Sequence, residues 1–110
     1  RDIKKYPLRL RYLKTNLTSD NNFQITFSVP KKRFKKAPDR NRVKRLLREA
    51  VRKNKVQIEQ FLTDNNLNLA LFLIYNDNEI LTYKVLESKI VSIFERLINE
   101  IQKELNEANK

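Results

Sequence analysis

KKRFKKAPDRNRVKRLLREAVRKNK, residues 31–55, decides how the rest of the chain is read. It carries thirteen Lys or Arg, six of them Arg, against two acids, Asp39 and Glu49. That balance of +11 equals the net charge of the whole protein. The thirty residues before it contribute +4 and the fifty-five after it −4, so the basicity is confined to one segment. From Arg40 onward, Val43, Leu46, Leu47, Ala50 and Val51 fall at the i, i+3, i+4, i+7, i+8 spacing of a buried helix face. At ~100° per residue, Asn41, Lys44, Arg45, Arg48, Arg52 and Lys55 project from the other side. Pro38 disfavours helix at Ala37, and Asp39 is placed to cap the helix after it or to favour its positive end. Ile58, Phe61 and Leu62 continue the stripe, so the spacing predicts a helix over about 39–63.

Working outward, residues 7–13 alternate, with Leu8, Leu10 and Tyr12 on one side and Arg9 and Arg11 on the other. Residues 23–29 alternate too, Phe23, Ile25, Phe27 and Val29 inward, and Pro30 ends the run because it has no N–H for a ladder. With a turn cluster at 16–22, these two strands read as an antiparallel meander with one polar, Arg-bearing face. Residues 1–5 are polar, with nothing to pin them down. LNLALFLIY, residues 67–75, is an apolar run of strand length that suits a central strand covered on both faces. After a turn at 76–79 comes a helix over about 85–105, with Ile90, Val91, Phe94, Leu97, Ile98, Ile101 and Leu105 inward; residues 106–110 are expected to fray. The pattern is that of one α+β domain spanning 1–110.

Composition removes several functions. The 110 residues include no Cys and no His, which takes away thiolate chemistry, the commonest metal ligand and every Ser-His or Cys-His arrangement. Gly is absent as well, so Gly-rich phosphate loops are ruled out and tight turns fall to Asn and Asp. No apolar run approaches the roughly 20 residues of a membrane span, and no apolar signal region is present, so the chain reads as cytoplasmic. It begins with Arg and contains no Met, as a trimmed or partial chain would. Asp77 and Glu79 sit in a polar turn and read as solvated turn residues. A basic amphipathic helix suits either a membrane surface or a nucleic acid. The apolar side here is Val, Leu and Ala, and the strands need it as a cover, which disfavours the membrane. Arg pairs bidentately with phosphate and stacks on bases, which favours nucleic acid. Arg9 and Arg11 read either as edge-strand protection or as an extension of the basic surface, with Tyr12 nearby as a stacking platform.

RNRVKRLLRE, residues 40–49, together with VPKK at 29–32, resembles the signature of the bacterial ribonuclease P protein family. That pattern is an R-N-x-x-K-R-x-x-R helix preceded by a V-x-K-K strand end. The strand-strand-helix-strand-helix order and the length agree from about Tyr6 to the last helix. The resemblance implies a mainly antiparallel four-stranded sheet with packed helices, like the second domain of ribosomal protein S5, with a left-handed βαβ crossover. It implies that the RNA subunit is the catalyst and holds the Mg2+ ions, while the protein binds that RNA and the 5′ leader of precursor tRNA, with no DNA or membrane partner. Arg40, Asn41, Arg42, Lys44, Arg45 and Arg48 inherit the RNA-contacting role; Lys31 and Lys32 match the basic strand end, and Arg52 extends the same helix face. Arg9, Arg11 and Tyr12 are the candidates for the leader cleft. The chain departs from the family in three places. It starts after the family's basic segment and Phe-bearing short helix, has no Gly between the Lys pair and the signature, and has Pro38 where an apolar residue is usual. The alternative is a non-catalytic, structured-RNA-binding or ribosome-associated protein.

Overall fold

Four strands and three helices make up the computed structural model, which describes residues 2–15 and 23–108. The expected turn at 16–22 lies outside the described residues. In chain order the elements are β1 (Asp2–Lys5), β2 (Leu8–Lys14), β3 (Phe23–Ser28), α1 (Ala37–Asn54), α2 (Val56–Asp64), β4 (Leu69–Tyr75) and α3 (Tyr83–Ala108). The sheet order is β1-β2-β4-β3. β1 pairs with β2 and β2 with β4 antiparallel, and β3 lies parallel to β4. The fold is α+β with a mixed, mainly antiparallel sheet, and a βαβ crossover through α1 and α2 joins β3 to β4.

Alternation in the strands puts one side of the sheet into the core. Leu10 stands between Ile3 and Leu73 in the register, and Tyr12 stands opposite Leu71. All five are buried, with Leu8, Leu69 and Tyr75 beside them. The helices cover this side with their apolar stripes: Val43, Leu47, Ala50 and Val51 from α1, Ile58 and Leu62 from α2, Leu86, Ile90, Ile93, Phe94, Leu97 and Ile101 from α3. No polar or charged residue is buried among the described residues.

The sequence expectations need correcting in several places. Residues 2–5 are a strand and not a loose end, because Ile3 is buried and the backbone completes a hairpin with β2. β2 and β3 do not form a meander. β4 lies between them, where the most apolar strand gains a backbone partner on each edge. β4 is covered on only one face, for Ala70 and Ile74 are half-buried and Phe72 is 45% exposed on the other. The basic helix starts at Ala37, with Pro38 in its first turn, where a missing N–H costs nothing. Asp39 makes no cap; it lies in the first turn, at the positive end of the helix dipole. The expected single helix is broken at Lys55 into α1 and α2, although Ile58 and Leu62 carry the stripe across. α3 is longer than expected at both ends and buries Ile93, while Val91, Ile98 and Leu105 are only half-buried.

Asn does the work of Gly at the end of α2. Asn66 adopts φ 53°, Leu67 N–H donates to the Leu62 carbonyl at 2.9 Å, and Asn66 N–H to that of Thr63 at 3.1 Å. This is a Schellman closure with Asn in the left-handed position. The 76–79 turn is held by Asp77 Oδ1, which accepts from the N–H groups of Asn78 and Glu79. The Tyr75 hydroxyl also donates to the Glu79 carbonyl at 2.5 Å.

Candidate nucleic-acid interface

The buried stripe of α1 fixes what the opposite side presents. Asn41, Arg42, Arg45, Arg48 and Arg52 are exposed on it, and Lys44 is half-buried. Seven basic residues in eighteen make a strong positive field, and exposed Arg forks suit phosphate oxygens. Lys31 and Lys32 are exposed in the turn after β3, whose Arg33 N–H donates to the Pro30 carbonyl at 3.0 Å.

Not every cation of the basic block faces outward for binding. Arg40 is half-buried and its Nη1 donates to the carbonyls of Phe34 and Lys35 at 2.8 and 3.0 Å. It therefore ties the connector to the helix start. Arg33 donates to Asn76 Oδ1 at 2.7 Å and to Asn78 Oδ1 at 3.3 Å, fastening the same connector to the loop after β4. Arg52 bonds both carboxylate oxygens of Glu49, and Lys53 Nζ lies 3.7 Å from that carboxylate. The Arg52 hydrogen bond, with the two cations nearby, holds Glu49 below the usual carboxylate range. Arg48 lies over the Phe27 ring, 5.8 Å from its centroid.

A second positive surface occupies the uncovered face of the sheet. Arg9 and Arg11 stand there, as the alternation predicts, with Leu13, Phe72 and Ile74. Arg11 is opposite Phe72, and Phe72 is flanked on its other side by Thr26 of β3. Arg11, Tyr12, Leu13, Ser28, Phe72 and Ile74 line a shallow hollow of about 450 Å³. Both arginines bond Asp2, at 2.5 and 3.1 Å, which offsets part of their charge. The Arg9 bond in particular lowers the Asp2 carboxyl. Tyr12, expected beside them, is buried on the helix side and its hydroxyl donates to Glu104 at 2.9 Å. The structure thus brings Arg9 and Arg11 together; Tyr12 borders the same hollow, but its hydroxyl is engaged with α3.

The aromatic of the open face is Phe72, which sequence reasoning missed. In LALFLIY nothing polar marks which side faces out, so no signal in that strand distinguishes Phe72 from Leu71. Phe23 and Phe27, read as core, are half-buried at the sheet edge. Among the described residues no group of three or more His, Cys, Asp or Glu is placed to hold a metal. No helix among them is long and apolar enough to cross a membrane.

A family model described as Ribonuclease P matches residues 1–98. The ribonuclease P protein component of Porphyromonas gingivalis strain ATCC 33277 is 34% identical over 82 residues, covering 74% of this chain and 60% of that protein. The component from strain W83 is 35% identical over 85 residues, with the same coverage. The chain thus spans 60% of the length of the curated relatives it matches. The RNase P protein from Thermotoga maritima shares the fold with a TM-score of 0.67 at 18% identity, over 87% of this chain and 82% of that one. The Staphylococcus aureus RNase P protein gives 0.66 at 18%, over 88% and 80%.

Proposed function

This chain belongs to the ribonuclease P protein family, and from that premise we propose that it is the protein subunit of a bacterial ribonuclease P holoenzyme. In this reading it binds the catalytic RNA and the 5′ leader of precursor tRNA, and so supports endonucleolytic removal of the leader in the cytoplasm. The observation that carries the proposal is the outward face of α1, where Asn41, Arg42, Arg45, Arg48 and Arg52 stand exposed on the far side of a fully buried stripe. Such a face meets phosphates in a fixed geometry, because the helix cannot rotate without exposing Leu47 and Val51. Affinity should accordingly fall steeply with salt. The open sheet face, with Arg9, Arg11 and Phe72, is the surface suited to a single-stranded leader: two cations for its phosphates and one ring for a base.

The Mg2+ of the reaction belongs, in this proposal, to the RNA partner, which also supplies the catalysis. The experiment is cleavage of a precursor tRNA by bacterial ribonuclease P RNA at low magnesium, with and without the polypeptide. Stimulation, with no cleavage by the polypeptide alone, is the expected result. Tight RNA binding without stimulation would instead favour a non-catalytic RNA-binding protein.

A further inference from the structure

β3 is an edge strand, and the helices do not close over its inner side. Phe23, Ile25 and Phe27 point to the helix layer but remain half-buried. Between them and the junction of α1 with α2 runs a groove of about 260 Å³. Its other wall carries three cations, Arg48, Arg52 and Lys55, and one acid, Glu59. Arg48 already lies over Phe27, its Cζ 5.8 Å from the ring centroid. Arg52 is engaged by Glu49 and Lys55 lies 3.9 Å from Glu59, both in exposed pairs of the kind that solvent screens and a phosphate can replace.

Aromatic rings backed by a row of cations suit one ligand chemistry above others. A hydrophobic ligand would leave the cations unused, and a diffuse duplex backbone would leave the rings unused. A base attached to its own phosphates uses both. The groove falls just below the roughly 300–1,000 Å³ of small-molecule sites, which suits one base and excludes a folded partner. We propose that this groove binds a single unpaired RNA nucleotide, its base against Phe23 and the Arg48–Phe27 pair and its phosphates on Arg52 and Lys55. The inference rests on the RNA-binding reading above and adds to it a stacking subsite separate from the open sheet face.

The test is fluorescence anisotropy with two labelled probes of equal charge, octariboadenylate and an abasic oligoribonucleotide of the same length. The intact protein should bind octariboadenylate about tenfold more tightly, as one stacked base allows. Phe23→Leu and Phe27→Leu keep apolar volume without a ring and should reduce that preference severalfold while leaving affinity for the abasic strand. Tyr6→Leu, which removes an exposed ring that lines neither the groove nor the open-face hollow, should leave the preference unchanged. Backbone amide shifts of the intact protein with octariboadenylate should cluster at 23–28 and 48–59, which locates the site even if a Leu variant fails to fold. Equal affinity for the two strands, or a preference unchanged in both Phe23→Leu and Phe27→Leu, overturns the groove while the RNA-binding reading stands. Groove shifts seen with an acidic peptide and not with octariboadenylate would overturn it in favour of a protein partner. Failure to bind either strand would overturn the RNA-binding reading itself.

Discussion

α1 and α3 are built by the same rule and put to different uses. Each buries a stripe of aliphatic residues on the sheet and on the other helix, and each has a polar outer face. On α1 that face belongs to a helix with seven basic residues and two acidic ones; on α3 the counts are four and five. Exposed Glu95, Arg96, Glu100, Lys103 and Glu107 alternate in sign along α3, which is what solubility requires and gives no polyanion a continuous field. The inner faces make the fold, and the outer face of one of them carries the concentrated positive charge.

The largest effects should be equal on the two helices. Leu47 and Leu97 are both fully buried, and Leu47→Ala or Leu97→Ala should each cost about 2–5 kcal/mol in urea unfolding, through loss of burial and a residual cavity. A mild effect at Leu47 alone would mean that α1 is an appendage and would break the comparison. Next in size come the outer faces. Arg45→Ala should weaken binding to ribonuclease P RNA severalfold and reduce the salt slope by about one, with stability changed by no more than ~0.5 kcal/mol. Lys103→Ala on α3 should leave both binding and slope unchanged, and equal losses would remove the distinction. Tyr12→Phe should cost roughly 0.5–1.5 kcal/mol by deleting the hydroxyl that bonds Glu104, with RNA affinity unaltered. A loss of affinity there would return Tyr12 to the leader surface.

Asp2 gives the smallest effect and the one that depends on pH. Its folded-state carboxyl titrates below 3.8, chiefly because Arg9 donates to it, so its stabilisation is present above 3.8 and is lost as the pH falls through that lower folded value. Asp2→Asn should therefore be slightly less stable than the natural chain near neutral pH and converge with it in strong acid, as followed by denaturant titrations across pH. The same change releases Arg9 and Arg11, and should raise affinity for a single-stranded oligoribonucleotide modestly at low salt. A fall in affinity would show that the arginines need Asp2 to be held in place.

The α1 stripe and its basic front were legible because helical spacing and charge reinforce each other over many residues. The polar face of β2 was legible for the same reason at period two. What escaped was set by partners distant in sequence. The position of β4 between β2 and β3 depends on which backbone edges are shared, and nothing within residues 67–75 records that. Phe72 and Phe27 look alike in sequence, yet one faces solvent across a bare sheet and the other lies under an arginine, since exposure is decided by which helices cover which side. Asp2 lay in a segment too short to show periodicity, and its role comes from standing opposite Arg11 in the hairpin. Arg40 belongs to the basic signature by type, but its geometry spends it on two carbonyls of the connector.

The parallel pairing of β3 with β4 sets an order of assembly. Phe23 meets Leu69, so this ladder can form only after the chain between them has folded back, whereas β1 and β2 are joined by a short turn and can close at once. Non-local pairings of this kind form late and slowly. β3 is also held by backbone bonds along one edge alone. In native-state hydrogen exchange its amides should open before those of β2 and β4, at a free energy below that of global unfolding. The strand that carries Phe23 and Phe27 is thus the last to lock and the first to loosen, and an RNA that closes on it would be felt there as slowed exchange.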